Sequence, residues 1–292
     1  MIKGPSTMYK IETYEEQSFT MYQLSNKDDT SWITVCPERG GIVIGYGVDG
    51  KEQLYLNKET LYDRKQNIRG GIPILFPISG QLESGKYDWD GLIYEMPNHG
   101  LARIHPWEVI GTTNDEEQAS ISILFESSIG TKEVFPFDFE VIFTYTLKQN
   151  QLFIHQSYRN LGKKDMPIYP GLHPYFKTKS KLLSLKTDTT TYYDYNDNSV
   201  KEFSGKIDIE GLKEAVVLEN KHQALEAKIE ERDLHIETAT EFRYTVLWTE
   251  QDKEFICIEP WTAKTGEMNR KTELILVEPK QSLETWVSFQ VV

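Results

Sequence analysis

The sequence has few of the features that mark a disulfide-stabilised, metal-binding or membrane-spanning protein. Its two cysteines, Cys36 and Cys257, lie in apolar runs without Cys-x-x-Cys spacing. We therefore expect two reduced core thiols, with neither a disulfide framework nor a zinc site. No run approaches about 18 apolar residues, and residues 1–20 lack the apolar core of a signal peptide. These features predict a cytoplasmic protein with no membrane partner.

Positive charge is scarce as well. The chain has 32 Lys and Arg against 45 Asp and Glu, which gives a net charge of −13 spread over 292 residues. A field of this sign disfavours nucleic acid as a partner. It still permits an anionic small substrate, because a few arginines dominate at short range. The phosphate-loop patterns Gly-x-x-x-x-Gly-Lys-Ser/Thr and Gly-x-Gly-x-x-Gly are both absent.

Helix signals are rare, and short β-branched or alternating runs fill the chain instead. The clearest hairpin joins residues 139–147 to residues 152–158 through a polar turn at 148–151. About a dozen or more such runs, separated by turn residues, predict an all-β fold, a large antiparallel β-sandwich. We expect one domain over residues 1–292, with the polar, Tyr-rich residues 188–197 as an exposed loop.

One histidine lies in a rigid, aromatic bend. Pro174 restricts the preceding His173 to an extended backbone, and Tyr175 and Phe176 follow it. Such a histidine is presented at a fixed angle, as a catalytic or ligand-binding group requires. The alternative is a turn histidine with a satisfied hydrogen bond between two core strands.

A carboxylate follows the apolar run 255–258. Glu259 comes directly before Pro260, which we expect to end the strand, and partial desolvation there raises the proton affinity of a carboxyl group. The indole of Trp261 suits the apolar face of a pyranose. The alternative is a strand-end glutamate that accepts from loop amides or pairs with an arginine.

Two glycine-containing loops carry further candidates. Residues 67–80 contain Arg69 before a pair of glycines, and residues 98–103 contain Asn98, His99 and Arg103 around a turn. All four side chains are also compatible with ordinary solvated loop positions. His99 and His105 are six residues apart without a third ligand nearby, so they do not indicate a metal site.

At these residues the chain resembles the aldose 1-epimerase (mutarotase) family, and it is most similar to the branch that includes the hexose-6-phosphate mutarotases. The resemblance rests on four motifs in the family's order, at residues 69–73, 98–103, 171–176 and 258–261. It implies a galactose-mutarotase-like β-sandwich without a metal or organic cofactor. It also implies a small-molecule sugar or sugar phosphate as the partner.

The resemblance also implies roles for individual residues. His173 matches the family's general acid, Glu259 its general base, and His99 a histidine that contacts the sugar ring. The positions at which the sugar-phosphate branch binds its substrate are occupied by Arg69, Asn98 and Arg103, although that branch usually has Gln in place of Asn98. For the family's acidic sugar-binding residue between the catalytic His and Glu, Glu214 and Asp208 are both candidates.

The expected reaction interconverts the α and β anomers of a hexose or hexose 6-phosphate by acid/base ring opening and closure. His173 and Glu259 should then face one pocket, separated by about the width of a sugar ring. Arg69 and Arg103 are expected to bind a phosphate. The alternative is a non-catalytic carbohydrate-binding or sugar-sensing protein on the same fold. A glycosidase domain fits less well, because that chemistry uses two carboxylates. The sequence does not distinguish a monomer from an oligomer.

Overall fold

The structure is a computed structural model that describes residues 8–292 and consists mainly of short and medium β-strands. In chain order the strands are β1 Tyr9–Glu16, β2 Phe19–Asn26, β3 Trp32–Cys36, β4 Ile42–Val48, β5 Lys51–Glu52, β6 Ile74–Leu75, β7 Lys86–Trp89, β8 Leu92–Glu95, β9 Glu108–Asn114, β10 Ala119–Glu126, β11 Phe139–Lys148, β12 Gln151–Asn160, β13 Met166–Ile168, β14 Gly171–Leu172, β15 Tyr175–Lys177, β16 Leu182–Lys186, β17 Thr191–Asp194, β18 Ser199–Glu202, β19 Lys206–Asp208, β20 Val216–Glu219, β21 Ala224–Ile229, β22 Arg232–Thr238, β23 Tyr244–Trp248, β24 Phe255–Trp261, β25 Ile275–Val277 and β26 Ser282–Val291. The α-helices are short: α1 Lys58–Tyr62, α2 Ile129–Val134 and α3 Glu267–Arg270. Single 3-10 turns lie at Pro37–Arg39, Glu83–Gly85 and Ala102–Ile104.

Three antiparallel sheets form the body of the protein. A nine-stranded sheet has the order β19-β16-β21-β22-β26-β12-β11-β10-β9, and an eight-stranded sheet has the order β18-β17-β20-β23-β24-β14-β6 with β15 also paired to β24. A five-stranded sheet runs from β1 to β5 in sequence order, and β7-β8 and β13-β25 form two-stranded sheets. The prediction of a large antiparallel β-sandwich is confirmed.

The core lies between the nine-stranded and eight-stranded sheets, where alternate residues of each strand point inward. The ring centroids of Phe176 on β15 and Phe289 on β26 are 5.8 Å apart. Phe76, directly after β6, stacks on Tyr158 of β12 at 5.5 Å. The predicted hairpin is β11 and β12, and its turn contains only two residues between the strands, with Gln149 at a φ of 53°.

Two local predictions are wrong. Residues 188–197 contain β17, which pairs with β18 and β20, because its Thr and Tyr residues favour an extended backbone more strongly than the neighbouring acids oppose it. Strand β24 does not stop before Pro260 but continues to Trp261. On the side of β14 and β15, β24 is paired only at residue 261 and residues 255–257, so no ladder bond to Pro260 is needed there.

Within residues 8–292, no helix is long and apolar enough to cross a membrane. The cytoplasmic location and the single domain stay predictions.

Candidate active site

Strand β24 carries the site because its side chains alternate between two environments. Ile256 and Ile258 pack in the main core, while Cys257, Glu259 and Trp261 point to the other face of the sheet. On the neighbouring side, Gly171 pairs with Trp261 and Tyr175 pairs with Cys257. His173 lies midway between Gly171 and Tyr175, so the same register places it opposite Glu259.

The two side chains that were predicted to be catalytic are in direct contact. His173 Nε2 and Glu259 Oε1 are 3.5 Å apart, and the side chains are 7% and 2% exposed. The expected separation of one sugar ring is therefore wrong. Anomerisation exchanges protons at two oxygens that are both bonded to the anomeric carbon, about 2.3 Å apart, so an acid and a base in contact can reach both of them.

Three aromatic residues hold this pair in place. The indole Nε1 of Trp261 donates a hydrogen bond to Glu259 Oε2 at 3.1 Å, which leaves Oε1 on the His173 side. The ring of Tyr175 stacks on His173 with centroids 4.7 Å apart and planes inclined by 10°. Trp248 meets His173 edge-on at 5.9 Å. Both catalytic candidates therefore have a fixed orientation.

Burial shifts both groups of the pair toward their neutral forms. Desolvation raises the pKa of Glu259 well above its usual value, against smaller lowering effects of the Trp261 hydrogen bond and the Arg103 charge. Desolvation also lowers the pKa of His173 well below its usual value, and the positive charges of Arg103 and Arg69 act in the same direction. When the pair holds one proton, burial thus favours the neutral tautomer, with the proton on Glu259, over the carboxylate and imidazolium.

His99 lies next to the pair on a tight turn. The backbone φ is 64° at His99 and 74° at Gly100. Only glycine fits at position 100, because a Cβ there would lie 2.3 Å from the Phe76 carbonyl oxygen. The His99 and His173 ring centroids are 5.3 Å apart. His99 Nδ1 lies 2.5 Å from the Ser79 carbonyl oxygen, and burial lowers the pKa of His99 to about 3. The neutral ring therefore carries its hydrogen on Nδ1 and offers Nε2 as an acceptor.

These residues line an open cavity of about 480 Å³, large enough for one hexose. Five of the six predicted site residues line it: Arg69, Asn98, His99, His173 and Glu259. Other lining side chains include Gln81, Tyr195, Asn198, Lys213, Glu214, Trp248 and Trp261. A cavity with aromatic walls and a few convergent polar groups is typical of a sugar site.

The two predicted phosphate-binding arginines are not both at the cavity. Arg69 lines it, with its guanidinium 5.5 Å above the Trp248 ring and its Nε 3.4 Å from Glu250 Oε2. Arg103 is not among the lining residues, and its Nη2 donates to the Asn98 carbonyl at 2.9 Å. Arg103 therefore supports the turn that presents His99, because its orientation is set by that backbone bond.

The sequence model of the aldose 1-epimerase family matches residues 20–290. This chain belongs to the aldose 1-epimerase family.

Individual proteins resemble this chain in sequence or in fold. A Salmonella typhimurium protein named "Putative glucose-6-phosphate 1-epimerase" is 30% identical over 97 residues, which cover 32% of this chain and 29% of that protein. A crystal structure from Synechocystis sp. PCC 6803 has a TM-score of 0.88 at 30% identity and covers 100% of this chain and 99% of that one. A galactose mutarotase-like protein from Clostridium acetobutylicum has the same fold, with a TM-score of 0.81 at 18% identity over 99% of both chains.

The structure separates the two candidates for the acidic sugar-binding residue that the aldose 1-epimerase resemblance implies. Glu214 lines the cavity, whereas Asp208 lies on β19 at the edge of the nine-stranded sheet and does not. Asn196 holds the backbone at this position: its Oδ1 accepts from the amides of Lys213 and Glu214, and its Nδ2 donates to the Glu214 carbonyl, at 2.9 Å each.

Several lining residues had no signal in the sequence. Tyr195 lies in the stretch 188–197 that the sequence predicts to be an exposed loop, Asn198 directly follows it, and Lys213 lies between β19 and β20. Trp248 had a partial signal, because the adjacent β23 and β24 form an antiparallel pair in which Trp248 lies opposite Cys257. Tyr195, Asn198 and Lys213 reach the cavity because strands far apart in the sequence pair in the eight-stranded sheet.

The structure also brings one cysteine to the acid/base pair. Ligand atoms of His173, Cys257 and Glu259 all lie within 4.8 Å of one another, and all three residues are buried. Burial raises the pKa of Cys257 well above its usual value. This thiol is therefore protonated at neutral pH, and it does not line the sugar cavity.

Proposed function

We propose that this aldose 1-epimerase family member interconverts the α and β anomers of a hexose, with His173 as general acid and Glu259 as general base. The observation that supports this is the contact of His173 Nε2 with Glu259 Oε1 at 3.5 Å in a sugar-sized cavity. A module that only binds sugar has no need of a buried, matched acid and base. The geometry therefore favours the enzyme over the non-catalytic alternative.

In the proposed reaction, Glu259 takes the proton of the anomeric hydroxyl, and an electron pair of that oxygen forms the aldehyde double bond. The bond from C1 to the ring oxygen breaks, and the ring oxygen keeps its electron pair and takes the proton from His173 Nε2. C1 rotates about the bond to C2, and the reverse transfers close the ring on the other face. No electrons enter or leave, and no covalent enzyme intermediate forms.

The electrostatics of the pair suit this cycle. Ring opening converts a carboxylate and an imidazolium into a neutral carboxylic acid and a neutral imidazole. Burial favours these neutral forms, since it raises the pKa of Glu259 and lowers that of His173. Burial therefore favours the protonation state that the pair reaches on ring opening over the carboxylate and imidazolium from which the step starts.

A finer proposal is that the preferred substrate carries a 6-phosphate. Arg69 and Lys213 supply two positive charges among the lining residues, and a guanidinium forms charge-assisted bonds with phosphate oxygens. The name of the Salmonella relative also supports this substrate class. Glu214 and Glu250 oppose it, because Glu214 shares the cavity and Glu250 already pairs with Arg69.

The test is anomer exchange, measured at equilibrium by magnetisation-transfer NMR on glucose, galactose and glucose 6-phosphate. We expect the protein to raise the exchange rate above the spontaneous rate, with the larger kcat/KM for the phosphate. A protein that binds these sugars without raising the exchange rate is a binding protein. If a free hexose gives an equal or larger kcat/KM, the enzyme is a general aldose 1-epimerase.

A further inference from the structure

The acid/base pair has a third donor that the proposed reaction does not use. Cys257 is two residues before Glu259 on β24, so both side chains point to the same face of the sheet. His173 comes to them from the gap between β14 and β15, and Tyr175 lies opposite Cys257. Paired backbones thus bring an imidazole, a thiol and a carboxylate together, with their ligand atoms within 4.8 Å of one another.

We propose that His173, Cys257 and Glu259 form a binding site for a borderline-soft divalent metal such as Zn²⁺, and that the bound metal blocks the acid/base pair. Imidazole nitrogen, thiolate sulfur and carboxylate oxygen are the three ligand types that Zn²⁺ takes in proteins. His173 and Glu259 line the cavity, so an ion held by these residues would border the sugar site. The metal is an inhibitor here and takes no part in the reaction.

The distances fit this donor set after a small contraction. If all three separations were at the 4.8 Å limit, a central ion would lie about 2.8 Å from each donor atom, against about 2.0–2.3 Å in zinc sites. One pair needs almost no movement: His173 Nε2 and Glu259 Oε1 are 3.5 Å apart, and two ligands of a tetrahedral zinc ion are separated by about 3.3 Å.

Charge and protonation set the conditions for binding. A thiolate and a carboxylate neutralise the ion, and the neutral imidazole leaves the sum at zero, which suits a buried position. Zinc is bound by a thiolate and a neutral imidazole, so the Cys257 thiol must lose its proton when the ion binds. The affinity for metal should therefore rise with pH.

The first experiment measures Zn²⁺ binding by calorimetry on chelator-treated full-length protein. Cys257→Ala tests the site, and Cys36→Ala is the matched control, since Cys36 is the other buried thiol and lies on β3 in the five-stranded sheet. We expect one site in wild type and in Cys36→Ala, with an affinity at least about tenfold lower in Cys257→Ala. Equal affinities in all three proteins would overturn the proposal.

The second experiment needs no variant, so it holds even if Cys257→Ala folds poorly. Co²⁺ is added to the wild-type protein, and a thiolate-to-cobalt charge-transfer band in the near ultraviolet is expected. Its absence at saturating Co²⁺ would exclude Cys257 as a ligand. The band reports binding without any sugar, so a protein that shows it but does not exchange anomers would refute the proposed function and leave the metal site intact.

Inhibition is the third measurement. If the protein exchanges anomers, Zn²⁺ should lower the rate in wild type and in Cys36→Ala, and a chelator should restore it. In Cys257→Ala the Zn²⁺ concentration for half-inhibition, taken relative to that variant's own metal-free rate, should rise at least about tenfold. An unchanged half-inhibition concentration would place the inhibitory ion elsewhere.

Discussion

Glu259→Gln separates the chemistry of the site from its architecture. The amide keeps the size of the side chain and can still accept the Trp261 Nε1 hydrogen bond, which is 3.1 Å long in the wild type. It cannot take a proton from the anomeric hydroxyl. Loss of a general base costs about 10²–10⁴ in rate, or about 2.7–5.5 kcal/mol of transition-state stabilisation. We therefore expect kcat for anomer exchange to fall by that factor while KM changes little.

The same change should make the protein more stable at neutral and alkaline pH. Burial raises the pKa of Glu259 in the folded state above its unfolded value. Below the unfolded pKa the carboxyl group is neutral in both states. Between the unfolded and the folded pKa it ionises only in the unfolded chain, so the wild type loses stability as pH rises, and the loss is complete above the folded pKa. The difference in free energy of unfolding between Glu259→Gln and wild type should therefore increase by up to about 1.36 kcal/mol per pH unit between these two pKa values.

The assays are magnetisation-transfer NMR for kcat and KM, and urea unfolding at pH 5 and pH 8 for stability. Glu126→Gln is the control, because it makes the same chemical change at an exposed position at the end of β10. It should leave both measurements near wild type. A Glu259→Gln protein with near-wild-type kcat would refute the assignment of the base. A variant that loses stability as pH rises relative to wild type would refute the reasoning from burial.

Four further predictions follow from the contacts of the site. Trp261→Phe should lower kcat by roughly 10-fold or more, because it removes the hydrogen bond that orients the Glu259 carboxylate, and an unchanged kcat would contradict this. Arg103→Ala should lower kcat/KM for glucose and glucose 6-phosphate by the same factor, because this side chain supports a turn and does not line the cavity; a selective loss with the phosphate would contradict it. Lys213→Ala should raise KM for glucose 6-phosphate roughly 10-fold and leave KM for glucose unchanged, as expected for one lost charge-assisted bond. The acid limb of the profile of kcat/KM against pH should lie below pH 6.5. Burial lowers the pKa of His173, so the pair takes up the second proton that inactivates it only at such a low pH. An acid limb at or above pH 6.5 would contradict the lowered pKa of His173.

Local pattern determined the fold class and the positions of the catalytic candidates. Strand β10 and the hairpin β11–β12 alternate between apolar and polar residues over many positions. This alternation is a property of the sequence alone and indicates a strand with one buried face. His173 and Glu259 stand out because each lies beside a proline and aromatic residues in the chain itself. The residues that flank a position in the chain can be read from the sequence. The structure brings these two positions, His173 and Glu259, into contact.

Tertiary structure alone decided how the site is assembled. His173 lies opposite Glu259 because of the register between β24 and its partners β14 and β15, and a slip of one residue would turn either side chain into the core. The same register put Cys257 beside the pair. Glu214 and Lys213 reach the cavity through a backbone segment held by Asn196, and the Arg103 guanidinium is bound to the Asn98 carbonyl. These outcomes depend on pairing between distant strands and on hydrogen bonds to the backbone, neither of which leaves a periodic trace in the sequence.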